Sequence, residues 1–172
     1  MKRLMIGAIA LFTTFQLAAQ KTNDEINKKN SWLKAGLSAS VPLGDLSTYE
    51  SFAAGVDLSG QWMATKNWGL GIASGYTQFF SKGSGSNFGV VPLGLLVRYY
   101  PESKGFFAGT DVGYSFLTNT NGGSTGGFYF KPQLGYHNYS WNIYGFYNHV
   151  VLPSPSITVQ NIGVAATYNI RF

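Results

Sequence analysis

The sequence lacks cysteine altogether and is poor in charge. Without Cys among its 172 residues, the chain excludes a disulfide framework, thiolate catalysis and Cys-based zinc or iron–sulfur sites. Charged residues make up only 11%, under half of the ~25% typical of soluble domains. The chain carries 22 Gly, 13 Phe, 11 Tyr and 4 Trp instead. It is therefore too apolar to be disordered and too weakly charged for an ordinary soluble surface.

Residues 1–19 have the three-part pattern of a secretory signal peptide. A short basic head precedes a mainly apolar stretch at 4–17, which ends in the small residues Ala18 and Ala19. The apolar stretch is shorter than the ~20 residues that a spanning helix needs. We therefore predict a signal peptide at 1–19 and a polar periplasmic leader at 20–31.

From residue 32 onward, apolar and polar residues alternate with a period of two, and helical periodicity is absent. In the first segment, for example, Leu33 and Leu37 oppose Lys34 and Ser38. The alternation predicts eight strands. Their approximate ranges are 32–41, 53–63, 68–79, 88–99, 106–116, 128–137, 140–149 and 157–172.

The connections between these segments alternate between long and short. The long ones, at 42–52, 80–87, 117–127 and 150–156, are rich in Gly, Ser, Asn and Pro. Such alternation is typical of antiparallel neighbours in an up-and-down sheet, with every long loop on one side. The seventh segment is the least regular, because Tyr144 and Phe146 share a face with Asn142 and Asn148.

The polar face of the segments indicates which way the sheet points. It consists mainly of Gly, Ser, Thr and Asn, with isolated charges, whereas a soluble sandwich would carry many long charged side chains outside. A narrow closed barrel favours small inward residues and a few paired charges. We predict that six residues supply the lumen charges: Lys34, Asp57, Arg98, Asp111, Lys131 and Arg171. Among them we expect an Asp111–Lys131 pair, with Asp57 joining Arg98 or a nearby Lys.

Segment length and aromatic placement favour a membrane environment. Ten residues at about 3.3 Å each, tilted by ~40°, cover about 25 Å, the height of an outer-membrane apolar band. Outward aromatics flank every short turn, which predicts a ring at one membrane–water interface. The predicted girdle comprises Trp62, Trp68, Tyr99, Phe106, Tyr136 and Trp141. A second ring at the opposite interface would include Phe52, Tyr76, Phe116, Phe128 and Tyr147.

The terminal strand carries the most specific pattern. It ends in a terminal Phe172 preceded at alternate positions by Ile170 and Tyr168. This ending resembles the assembly signal of the small eight-stranded outer-membrane β-barrels of Gram-negative bacteria, the OmpA/OmpX type. The resemblance covers 32–172. It implies an all-β, eight-stranded antiparallel up-and-down transmembrane β-barrel, located in the cell outer membrane and inserted by the barrel-assembly machinery.

The expected function is structural or a surface interaction: envelope integrity, adhesion or docking of a partner, in contact with outer-membrane lipid. We expect no enzyme activity, cofactor, metal site or nucleic-acid partner. Two alternative functions remain if the chain is an outer-membrane β-barrel. A narrow porin-like channel would need an open lumen, but eight strands leave room only for side chains. An enzyme acting on lipid would need a Ser–His–carboxylate group, for which the candidates near the long loops are His149, Ser154, Ser156 and Glu50.

His137 lies beside a short turn, where we expect it to face the periplasm. If the chain is not a membrane protein, one further alternative is a secreted soluble barrel that binds a small apolar ligand. It would require the Leu, Val and Phe face to point inward.

Overall fold

The computed structural model describes residues 31–83, 85–120, 125–153 and 158–171, and for Arg171 it describes the backbone only. The predicted signal peptide and most of the leader therefore lie outside the described residues. The elements in chain order are β1 (Ser31–Pro42), α1 (Leu46–Tyr49), β2 (Glu50–Met63), β3 (Trp68–Ser81), β4 (Phe88–Tyr99), β5 (Gly105–Thr118), β6 (Gly126–His137), β7 (Trp141–Val151) and β8 (Val159–Arg171).

The eight strands form one closed barrel in which every neighbouring pair is antiparallel. Closure comes from β1 and β8, which are paired from Trp32 opposite Arg171 to Pro42 opposite Asn161. Closing the sheet removes the two edges that an open sheet would expose. The predicted fold class, an all-β up-and-down barrel of eight strands, is confirmed.

The structure differs from the prediction mainly at the long-loop end. Five strands extend two or three residues beyond the predicted ends there, for instance to Ser81 in β3 and from Glu50 in β2, whereas β8 begins at Val159, two residues later than predicted. The first long loop contains the single helical turn α1 at 46–49, which the sequence pattern did not predict. It is held by backbone contacts from Ser47 N to Gly44 O and from Thr48 N to Asp45 O. The first three long connections are consequently shorter than expected, and the fourth is shifted to 152–158 without a change in length.

The period-two alternation places side chains inside and outside as predicted. On β1, Lys34, Ser38 and Ser40 are buried in the lumen, while Leu37 and Val41 are exposed on the outer wall. Small inward residues let neighbouring strands approach each other closely. Gly94 and Gly113, for instance, are register partners on β4 and β5, and a Cβ added to Gly113 would collide with the backbone of Leu93 and Gly94.

Two prolines interrupt the hydrogen-bonded ladder inside the barrel wall. Pro132 on β6 is paired with Thr110 of β5, but its pairing with β7 is absent between Phe130–His149 and Gln133–Phe146. The register is the same on both sides of this gap, so no residue is inserted. Proline has no N–H to donate, which is the physical reason for the interruption. We call this gap the β6–β7 seam.

Pro92 on β4 creates a second gap of the same kind. Its pairing with Ser115 of β5 is intact, whereas the ladder to β3 is absent between Ser74–Leu93 and Thr77–Val90. We call this gap the β3–β4 seam.

Among the described residues, no helix is both long and apolar enough to cross a membrane.

Candidate functional site

The interior of the barrel holds the charged residues predicted for the lumen. Lys34, Asp57, Arg98, Asp111 and Lys131 come from five different strands, and each is at least nine-tenths buried. The side chain of Arg171 lies outside the described residues. Burying charges is costly unless they are paired and hydrogen-bonded. The hydrogen bonds and ion pairs of these charges therefore determine whether the lumen is a packed interior or an open path.

Lys131 forms an ion pair with Asp57 across the lumen, not with Asp111. Lys131 Nζ lies 3.1 Å from Asp57 Oδ1, and the hydroxyl of Tyr144 donates to Asp57 Oδ2 at 3.1 Å. The Lys131 ammonium also lies 4.3 Å from the ring centroid of Phe146. The predicted Asp111–Lys131 ion pair is thus wrong, although these two residues are direct register partners on β5 and β6.

Asp111 is linked to Arg98 through a glutamine instead. Gln133 Nε2 donates to Asp111 Oδ2 at 2.6 Å, and Arg98 Nη2 donates to Gln133 Oε1 at 2.7 Å. The Arg98 guanidinium also lies about 5 Å from the ring centroids of Phe107 (5.1 Å) and Tyr144 (5.0 Å). The amide of Gln133 therefore serves both charges at once, and aromatic faces accommodate the cation.

A third group occupies the short-turn end of the lumen. Lys34 Nζ donates to Gln61 Oε1 and to the Tyr100 hydroxyl, each at 2.9 Å, and Tyr100 donates to Gln61 Oε1 at 2.9 Å. Tyr100 follows the end of β4 and is buried. The Lys131–Asp57 ion pair and the Lys34–Tyr100 contact join strands that are not neighbours, so both depend on a closed barrel. Arg98, Asp111 and Gln133, in contrast, lie on the neighbouring strands β4, β5 and β6.

Two apolar clusters lie on either side of the charged layer. The short-turn cluster consists of Trp32, Met63, Tyr100, Phe107, Tyr144, Phe146 and Ala165. The long-loop cluster consists of Leu46, Ala53, Phe79, Val90, Tyr129, Val150 and Val159. Leu46 belongs to α1, so the first long loop contributes a side chain to the long-loop cluster. Across the described residues the lumen is therefore a packed interior, as expected for eight strands.

The sequence reasoning missed several members of this interior. Tyr100, Tyr144, Gln61 and Gln133 complete the polar groups, yet none was singled out as a lumen partner. The seventh segment did contain a signal, because Tyr144 and Phe146 share their face with Asn142. All three are buried in the lumen. An aromatic in phase with polar residues thus indicates a lumen position.

The outer wall is a continuous apolar surface. Leu37, Leu95 and Val164 are 69%, 65% and 62% exposed. Among the described strand residues, no outward position carries Asp, Glu, Lys or Arg. Soluble monomers rarely expose contiguous apolar patches larger than a few hundred Å². This surface, which we call the apolar band, is suited to lipid.

The six residues predicted for the first girdle all lie exposed at the short-turn end of the apolar band. Trp68 and Tyr99 are register partners with ring centroids 4.9 Å apart, and Phe106 and Tyr136 are partners at 6.0 Å. At the other end, Phe52, Phe116 and Phe128 are exposed near the strand termini, whereas Tyr147 is only half-buried. Tyr76 is exposed but lies deeper in its strand.

The proposed assembly signal is described in part. Tyr168 lies on the outer wall with its ring 5.2 Å from that of Trp141, and Ile170 is half-buried at the same end of β8. Phe172 lies outside the described residues.

The residues considered for catalysis do not form a described triad. His149 Nδ1 lies 3.1 Å from the hydroxyl of Tyr147, which in turn lies 3.2 Å from Gln160 Oε1. Ser154 and Ser156 lie outside the described residues, and Glu50 is buried at the start of β2. No group of three or more metal-ligating residues occurs in the described part of the chain.

His137 corrects a further expectation. It is buried rather than exposed to the periplasm, with its ring 4.6 Å from that of Tyr100 and 6.1 Å from that of Phe107. Its Nε2 lies 3.2 Å from the carbonyl oxygen of Glu102. As the inward residue at the end of β6, it packs against the short-turn cluster.

Comparison with known proteins identifies the fold and nothing finer. No family model matches the chain, and no curated protein matches it either. A solved structure described as "De novo design of transmembrane beta-barrels" aligns with a TM-score of 0.50 at 11% identity, covering 85% of this chain and 99% of that one. The chain thus has the fold of a transmembrane β-barrel.

A second solved structure is Ail, the attachment invasion locus protein of Yersinia pestis, in complex with the heparin analogue sucrose octasulfate. It aligns with a TM-score of 0.49 at 15% identity, covering 81% of this chain and 97% of that one. At this level of similarity neither the ligand nor the role of that protein carries over.

Proposed function

We propose that this protein is an integral outer-membrane β-barrel of a Gram-negative bacterium, with a closed lumen and a structural or surface-interaction role. The observation that supports this most strongly is the apolar band on a closed barrel, with the described charged side chains of the strands buried behind it. In water this arrangement would expose large apolar side chains while burying five charges at a cost. In a bilayer the same surface is solvated by acyl chains.

The surface-interaction part of the proposal follows from the lumen. Because two apolar clusters and three polar groups fill the described part of the interior, we expect solutes to find no path through it, which leaves the exposed loops as the surface for partners. In the proposed orientation, the long connections and α1 lie outside the cell, and the short turns lie in the periplasm. Outer-membrane lipid and the barrel-assembly machinery are the proposed partners in the membrane and during insertion.

The first experiment tests location and closure. Membranes are separated by density, and the protein is run on a gel in detergent with and without heating. We expect it in the outer-membrane fraction, with a mobility shift on heating because a closed barrel resists unfolding in detergent. Recovery in the soluble periplasmic or extracellular fraction would contradict the proposal.

A second experiment tests the role. The purified barrel is reconstituted in a planar bilayer, and we expect no stepwise conductance because the lumen is packed. A His149→Ala variant is then compared with the unmodified protein for its effect on outer-membrane lipid composition. We expect identical lipid profiles, since the proposed role is not enzymatic. Reproducible conductance steps, or a lipid modification lost in the variant, would contradict the proposal.

A further inference from the structure

A small cavity lies in the middle of the lumen beside the Lys131–Asp57 ion pair. Its volume is about 20 Å³, and we call it the central cavity. Both buried carboxylates line it, and so do Arg98, Lys131 and Tyr129. On the wall side it is bounded by Ser74 and Pro92, the residues next to the β3–β4 seam. The cavity is therefore polar, and it adjoins an interruption of the backbone ladder.

Three side chains that line the central cavity have polar atoms without a hydrogen-bond partner among the described residues. These atoms are Nε and Nη1 of Arg98, Oδ1 of Asp111 and the hydroxyl of Tyr129. All three residues are at least 95% buried. Buried polar atoms nearly always have a protein or water partner, so unpaired donors and an unpaired acceptor around one cavity require an explanation.

The size of the cavity selects a very small ligand. A site needs at least about 10–15 Å³ of this kind of volume to hold one water molecule, so 20 Å³ accommodates one. Organic ligands are far larger and are excluded. The remaining candidates are a water molecule and a small ion.

The charges around the cavity favour the neutral ligand. Two cations, Arg98 and Lys131, and two carboxylates, Asp57 and Asp111, line it together. Their fields oppose each other, so an ion of either sign gains little attraction in return for losing its hydration. A ligand that both donates and accepts hydrogen bonds matches the unpaired Oδ1 of Asp111 and the unpaired Nε and Nη1 of Arg98 at the same time.

We infer that the central cavity is a binding site for one internal water molecule, which donates to Asp111 Oδ1 and accepts from Arg98. The Tyr129 hydroxyl is its third partner. This water joins the Asp111–Gln133–Arg98 group to the long-loop cluster, to which Tyr129 belongs. The inference concerns the interior of the barrel and does not depend on the membrane or the role proposed above.

The direct test is a crystal structure of the unmodified protein in detergent, from crystals grown with sodium bromide and diffracting well enough to resolve ordered water. We expect one oxygen-sized peak in the cavity, within about 3.2 Å of Arg98, Asp111 and Tyr129, and no anomalous signal from bromide. An anomalous peak in the cavity would identify an anion and overturn the inference. A cavity without density would overturn it as well.

A matched pair of variants tests the same inference in solution. Ala73 lines the cavity and is buried, so Ala73→Val and Ala73→Thr insert side chains of equal shape into the space of the water. We expect the Thr variant to have the higher urea midpoint, because its hydroxyl replaces part of the hydrogen bonding that Val removes. The control is the same pair at Ala54, which is exposed on the outer wall, where we expect no advantage for Thr. A Val variant at 73 as stable as the Thr variant would contradict a water site.

Discussion

Lys131 on β6 contacts Asp57 on β2, with Nζ and Oδ1 3.1 Å apart, although its register partner on the adjacent strand is Asp111. The two partners are 74 positions apart in the sequence, on strands that are not neighbours in the barrel. The ion pair consequently forms only once the sheet has closed. It ties one wall to the other, as the Tyr144–Asp57 hydrogen bond also does.

We predict that Asp57→Asn destabilises the barrel strongly. The substitution leaves Lys131 buried without its counter-charge, and removing one partner of a buried pair costs about 3–5 kcal/mol. The measurement is urea unfolding in detergent micelles or lipid vesicles. Asp45→Asn, in the exposed first long loop, is the control and should leave the midpoint unchanged.

The double variant Asp57→Asn/Lys131→Met separates loss of the ion pair from loss of packing. Because it removes the orphaned cation, it should recover much of the stability lost in the single variant. A single Asp57→Asn variant within about 0.5 kcal/mol of the unmodified protein would show that the pair does not hold the walls together.

A second prediction concerns an inward glycine at which two neighbouring strands are in close contact. Gly113→Val should prevent assembly, because a Cβ at this inward position would overlap the backbone of Leu93 and Gly94. Gly60→Val is the matched control on the outer wall, where a Cβ finds only Ile72 Cγ1 at 3.9 Å. The readout is the fraction of heat-modifiable barrel after refolding. Equal folding of the two variants would contradict the close contact between β4 and β5 at Gly113.

The four tryptophans provide a third prediction, because the structure places them in two environments. Trp32 is buried in the lumen, whereas Trp62, Trp68 and Trp141 are half exposed at the short-turn girdle. In single-tryptophan variants reconstituted with brominated lipids, the three girdle residues should be quenched most by bromines near the headgroups. Trp32 should be quenched least. Strong quenching of Trp32 would place it on the outer wall and contradict the assigned faces.

The fourth prediction concerns the β6–β7 seam. Pro132→Val restores an N–H and a residue that favours strands, so the ladder to β7 can be completed. We expect a gain of about 1 kcal/mol in the free energy of unfolding and slower hydrogen exchange at Tyr147. Val91→Ile, on the outer wall of β4, is the control for a change of apolar side chain. Faster exchange at Tyr147 would show that the proline holds the seam together.

The fold could be predicted from the sequence because every strand of a lipid-facing barrel must alternate apolar outward residues with polar or small inward residues. Leu37 and Lys34 must lie on opposite faces, and a shift of one residue would exchange lipid and lumen. The strand number, order and faces follow from this alternation. Loop structure did not follow, because α1 is a single turn stabilised by local backbone contacts and has no periodicity.

The pairing inside the lumen could be predicted only in part. Alternation placed Lys131 and Asp111 inside and at the same level, which the register confirms. It could not choose between Asp111 and Asp57 as the partner of Lys131, since a long side chain crosses the lumen as easily as it reaches its neighbour. In the structure, Gln133 donates a hydrogen bond to Asp111, and Lys131 pairs with Asp57. Because Gln133 is neutral, the charge pattern of the sequence did not indicate its role.

The most direct test of the central claim is which solvent the apolar band faces, and the absence of native cysteine makes it simple. Spin labels are attached to single cysteines at Leu37, Leu95 and Val164, and to Ser86 in a long loop as the water-exposed reference. Collision with oxygen and with a water-soluble nickel complex is then measured in lipid vesicles. We expect the three band positions to be accessible to oxygen and shielded from nickel, whereas Ser86 should show the reverse. Nickel accessibility at the band equal to that of Ser86 would contradict a transmembrane barrel.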